Sequence, residues 1–139
     1  MDLTSNDAGA YGTDVPLKPG LTGHVELTVT NDDTAIAANS GDVAVLSTPR
    51  IVALCEEAAI DAIGDRLEQG ETTVGMRIQL DHLAPIAVGG TVTADSKLDK
   101  VEGHRLVFSV SVNDERGLVA AGKVTRVVVV RDHFLEKCC

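Results

Sequence analysis

The segment from Thr48 to about Leu67 most constrains what this chain can fold into. Turned at roughly 100° per residue, its apolar side chains cover well more than half of a helix circumference. Ser47 or Thr48 can cap its start, and Pro49 suits the first helical position. Gly64 falls inside and weakens it slightly, and Glu68-Gln69-Gly70-Glu71 ends it. One flat sheet face does not cover so wide an apolar surface. A strongly curved sheet wrapping the helix is therefore expected.

The rest of the chain offers strands for that sheet. His24 to Thr30 alternates polar and apolar residues, as a half-buried strand does. Thr34 to Ser47 has no clear period, and Asn39-Ser40-Gly41-Asp42 marks a loop within it. After the helix come Thr72 to Ala84, Thr91 to Leu98, Arg105 to Val112 and Leu118 to Val130. Short turns near Glu102-Gly103 and at Asn113 to Gly117 imply antiparallel pairing. The fold class is α+β, with a long central helix in a curved, mostly antiparallel sheet. Val127 to Val130 is apolar on both sides of its strand, which suggests a partner sheet or another subunit.

Two polar residues stand where this pattern wants apolar ones. Glu57 lies on a polar helical stripe with Arg50, Asp61 and Glu68. Glu56 falls instead in the apolar arc of Val52, Ala59, Ile63 and Leu67. A carboxylate buried there without a partner costs several kcal/mol or shifts its pKa upward. In the next strand one face carries Val74, Met76, Ile78, Leu80 and His82, and the other carries Thr73, Gly75, Arg77, Gln79 and Asp81. His82 thus points into the same helix–sheet interface as Glu56. Thr48 adds a hydroxyl at the helix start, where exposed backbone N–H groups can bind an oxyanion. Hydroxyl, carboxylate, imidazole and helix N-terminus are the parts of an acyl-transfer site. Each has a bland rival: Thr48 as a cap, His82 as a solvated strand end, Glu56 as a structural acid.

Composition narrows the function classes. At 139 residues, 44% apolar and 24% charged, the chain is one domain with room for a core. Residues 1–14 are polar and without period, so they are expected to be loose, leaving one domain over residues 15–137. A net charge of −9 argues against nucleic acid, although a local basic pocket can coexist with it. No apolar run is long enough to span a membrane, and the N-terminus lacks the regions of a secretory signal, so cytoplasm is expected. Three cysteines give no disulfide framework. Cys55 reads as core, and Cys138 and Cys139 read as tail. No metal or cofactor is expected.

The run Val45-Leu46-Ser47-Thr48-Pro49-Arg50-Ile51-Val52-Ala53-Leu54-Cys55-Glu56-Glu57-Ala58-Ala59 resembles the central-helix motif of the fluoroacetyl-CoA thioesterase-like family, which has a hotdog fold. The resemblance continues through Val74 to Pro85, Val101 to Leu106 and Gly122 to Arg126, and spans residues 16–137. It implies an acyl-CoA thioesterase with Thr48, Glu56 and His82 as catalytic residues. It also implies Gly75 near the acyl group, Arg126 at the substrate site, and a homodimer with sheets joined edge to edge. Gly75 on its own can mark a strand bulge, which leaves the parity from Met76 to His82 intact. Arg126 can equally be an ion-pair partner. The stretch from Asp33 to Leu46 has no aromatic residue, so no aromatic lid over a very small acyl group is expected.

Two other readings stand beside hydrolysis. Ser40-Gly41-Asp42 faintly echoes a hotdog enoyl-CoA hydratase motif, but Val43 to Leu46 stands where that motif has its asparagine, proline and histidine. A non-catalytic acyl-thioester-binding module is the third, since fold does not fix function.

Overall fold

A computed structural model describes residues 17–138. The expectations for residues 1–14 and for Cys139 lie outside the described residues. Helix α1 spans Thr48–Ile63. Ser47 is its N-cap, and its side chain accepts a hydrogen bond from the Arg50 N–H. Capping of this kind satisfies a donor that the helix itself cannot. The helix is a turn shorter than the apolar pattern suggests. Gly64 is not inside it but ends it, at φ 58°, a backbone state that a side chain disfavours. Leu67 still packs on the core from the connecting turn.

Five strands form one antiparallel sheet: β1 (Thr22–Thr28), β2 (Glu71–His82), β3 (Thr91–Glu102), β4 (Arg105–Asp114) and β5 (Gly117–Val130). Their spatial order is β1-β3-β4-β5-β2, so β1 and β2 are the edges. β3 and β4 run farther than their apolar pattern, because bulges and a tight turn at Gly103 keep the ladder paired. The segment before the helix holds two isolated bridges, Thr34 to Leu46 and Val45 to Ala87, around the expected loop.

The core lies between α1 and the sheet's inner face. Ile51, Leu54, Cys55, Ala58, Ala59 and Ala62 of the helix meet the inner residues of β3, β4 and β5, such as Leu98, Phe108 and Val124. Small residues let the layers approach closely. A Cβ on Gly23 would sit 2.0 Å from the Ala58 carbonyl oxygen, which accepts a hydrogen bond from Ser96 at 2.7 Å.

A bulge decides which side chains of β2 face this core. The β2–β5 register shifts between Gly75 and Arg77, leaving Met76 as the extra residue. From Ile78 to His82 the expected face holds, and Ile78 and Leu80 pack on the core. Met76 and Val74 do not share it. They pack with Val127 and Val129 on the outer face. Thr73 and Gly75 therefore turn inward with Val128 and Arg126. The valine run is buried on both sides, as expected, but part of its outer cover is Phe134. That residue belongs to a short helix, α2 (Arg131–Glu136), that the sequence pattern did not announce.

Candidate active site

The expected residues gather on the helix-facing side of β2 and β5, in two pairs. The first pair joins the helix start to the end of β2. Thr48 Oγ1 lies 2.8 Å from His82 Nδ1. His82 Nε2 lies 3.1 Å from the Ala84 carbonyl oxygen. A carbonyl can only accept, so Nε2 carries the proton of the neutral ring. Nδ1 is then the acceptor, and the Thr48 hydroxyl donates to it. Because Ser47 serves as the cap, Thr48 is released from that role.

The second pair lies farther along the helix. Arg126 Nη1 donates to Glu56 Oε2 at 2.9 Å. Glu56 is thus not a buried acid without a partner: its side chain is 32% exposed, and Arg126, at 7%, is its counter-ion. Burial pushes the Arg126 guanidinium below its ordinary pKa, and Glu56 offsets only part of that. It remains charged at any physiological pH. Gly75 pairs with Arg126 across the ladder, directly under the carboxylate. A Cβ there would lie 2.7 Å from Glu56 Oε2, so only a glycine leaves the carboxylate its place.

The helix N-terminus offers fewer donors than expected. Pro49 has no N–H, the Arg50 N–H is taken by Ser47 Oγ, and the Ile51 N–H by the Ser47 carbonyl. The Thr48 N–H is the first-turn donor that the cap does not use.

No hydrogen bond described links the two pairs. Thr48 and Glu56 are eight residues apart, which is about 12 Å along an α-helix axis. Thr73, absent from the sequence reading of the site, also touches Arg126 through its hydroxyl and its carbonyl. The signal that could have found it was its two-residue spacing from Gly75, once a bulge had turned both inward. Beside Arg126 opens a groove of about 360 Å³ lined by Ile60, Ile63, Leu67 and Thr73. Cys55, next to Glu56, is buried, and burial pushes its thiol up to about 11. Among the described residues, no cluster of histidine, cysteine and acid groups could hold a metal ion, and no helix is long and apolar enough to cross a membrane.

Comparison with known proteins agrees with this architecture. The profile of the FlK family, described as fluoroacetyl-CoA-specific thioesterase, matches residues 29–132. A fluoroacetyl-CoA thioesterase of Streptantibioticus cattleyicolor is 36% identical over 93 residues, 67% of each chain. Among solved structures, a threonine-to-serine variant of FlK in complex with acetyl-CoA superposes with a TM-score of 0.83 at 27% identity, over 88% of this chain and 96% of that one. A hot-dog-like protein from Thermanaerovibrio acidaminovorans gives 0.79 at 32% identity, over 86% and 88%. The chain belongs to the fluoroacetyl-CoA-specific thioesterase family, a family of acyl-CoA thioesterases with the hotdog fold.

Proposed function

We propose that this protein hydrolyses an acyl-CoA thioester to the free acid and CoA, with Glu56 as general base and the Thr48–His82 pair holding the reacting carbonyl. The observation that carries this reading is the way Glu56 is held. Arg126 engages Oε2, and Gly75 leaves room for the carboxylate, so Oε1 is the oxygen that can take a proton from water. The ion pair weakens Glu56 as base and as nucleophile alike, and a covalent acyl-Glu56 intermediate trapped in mass spectrometry would replace the base by a nucleophile in this scheme. Water adds to the carbonyl carbon as its proton passes to Glu56. The Thr48 N–H receives the oxyanion. The C–S bond then breaks, and the thiolate leaves with the proton that Glu56 held. His82 orients Thr48 in this scheme.

The distance between the pairs bears on assembly. About 12 Å along the helix axis separates Thr48 from Glu56, a long span for one bound carbonyl and its attacking water. Strand β2 is an edge of the sheet and carries His82 at its end and Gly75 nearer its start. Antiparallel pairing of β2 with the same strand of a second copy lays the end of one beside the start of the other. The working site in this proposal is therefore shared. Thr48 and His82 come from one protomer and Glu56, Gly75 and Arg126 from its partner, in an edge-to-edge homodimer.

A thiol-release screen over acyl chain lengths and types tests the activity and identifies the acyl group. On a responsive thioester, Glu56→Ala is expected to lower turnover by about 10² or more. Wild-type turnover in Glu56→Ala and in His82→Ala would refute the site.

A further inference from the structure

Glu56 satisfies one nitrogen of the buried Arg126 guanidinium, and Thr73 satisfies the other two. Arg126 Nε donates to Thr73 Oγ1 at 2.9 Å, and Nη2 donates to the Thr73 carbonyl oxygen at 3.0 Å. We propose that Thr73 is a positioning residue of the thioesterase site, one that confines Arg126 to a single hydrogen bond with Glu56. The inference rests on the reading of Glu56 as the base.

The argument comes from the shape of the guanidinium. Arginine binds a carboxylate most strongly with two parallel N–H donors that engage both oxygens. The Nε and Nη2 side of Arg126 is one face that can do this, and Thr73 fills it with its own two oxygens. The second N–H of Nη2 and both of Nη1 lie along the other edges, and with Nε and Nη2 fixed on Thr73 the guanidinium is turned so that Nη1 alone reaches Glu56, at Oε2. Oε1 stays available for a proton. Without the Thr73 hydroxyl, Nε loses its acceptor in a nearly dry site. The guanidinium can then swing to grip both carboxylate oxygens, which spends the base on a structural bond. Thr73 reaches this place only because Met76 bulges out and turns the start of β2 inward.

The test uses Thr73→Val, which keeps shape and β-branching, and Thr73→Ser, which keeps the hydroxyl. Thr28→Val is the control, since Thr28 is exposed on the opposite edge strand β1 and bonds to Thr91. Thr73→Val is expected to lower kcat about 10-fold with KM nearly unchanged, while Thr73→Ser restores it and Thr28→Val has no effect. The Arg126 Nε–H resonance in ¹⁵N NMR reports the contact without turnover. It should exchange slowly with solvent in the wild type and in Thr73→Ser, and faster in Thr73→Val. If Thr73→Val folds poorly, the same comparison between Thr73→Ala and Thr73→Ser serves. Equal kcat in the serine and valine variants, with Glu56→Ala inactive, overturns this inference alone. Full turnover in Glu56→Ala overturns it together with the reading it rests on.

Discussion

Glu56 and Arg126 meet across the helix–sheet interface through one hydrogen bond of 2.9 Å, from Nη1 to Oε2. That bond sets Glu56 apart from His82, which bonds to Thr48 instead. The catalytic set expected from the sequence thus splits into two pairs within one chain.

The split has a direct test in mixed dimers. Thr48→Ala, which frees the oxyanion-binding N–H from its anchor on His82, and Glu56→Ala should each lower turnover at least about 10-fold alone. A shared site predicts that a refolded mixture regains activity, because the heterodimer contains one site with an intact Thr48 and an intact Glu56. With random pairing the regain should approach about a quarter of wild-type turnover per dimer. A mixture no more active than its components would place the whole site within one protomer.

Gly75→Ala should separate folding from catalysis. The new methyl group would overlap Glu56 Oε2, the far end of a side chain that can move away. Gly75 does not have a positive φ, so alanine fits the backbone. The variant should unfold within about 1 kcal/mol of wild type in urea. Its turnover should fall by roughly 10² because the base is displaced. Wild-type activity in Gly75→Ala would mean that the Glu56 position is not critical.

Stability should fall in acid partly through Asp33. Burial alone would raise its pKa, but hydrogen bonds from the Thr30 backbone and hydroxyl, with the Arg50 guanidinium, outweigh burial and hold it below the ordinary value. A carboxyl depressed on folding contributes stability above its unfolded pKa and loses it as pH falls through the folded value. Asp33→Asn should therefore be less stable than wild type at pH 7. The gap should close below a pH of about 4. Urea midpoints measured from pH 7 to pH 3 would show it, and a constant gap would assign the effect to the hydrogen bonds alone.

Cys55 should be inert in the folded protein. Burial, with the neighbouring Glu56 charge, raises its thiol to about 11, and thiol reagents attack the thiolate. At pH 8 Cys55 should remain unlabelled until urea unfolds the chain, whereas the exposed Cys138 labels at once. Mass spectrometry of the labelled peptides distinguishes them. Prompt labelling of Cys55 would reveal opening of the helix–sheet interface.

The sequence by itself determined the central helix, the antiparallel strands after it and the anomaly of Glu56. These follow from periodicity, which is a local property of the chain. The burial of Cys55, Ala59 and Ile63 on one helix face could be read residue by residue. The cap, the helix end and the face of β2 could not. Ser47 rather than Thr48 became the cap: its side chain accepts from the Arg50 N–H, while its own N–H is held by the carbonyl of Asp33, which is distant in sequence. The bulge at Met76 is decided by the β2–β5 ladder, since only a partner strand defines which residue is extra. That one residue moves Thr73 and Gly75 to the inner face and Val74 and Met76 to the outer one. Pairing of Glu56 with Arg126, seventy residues away, likewise exists only after β5 has been laid beside β2. Periodicity can place a side chain on a face, but which groups share that face depends on contacts that only the folded sheet creates.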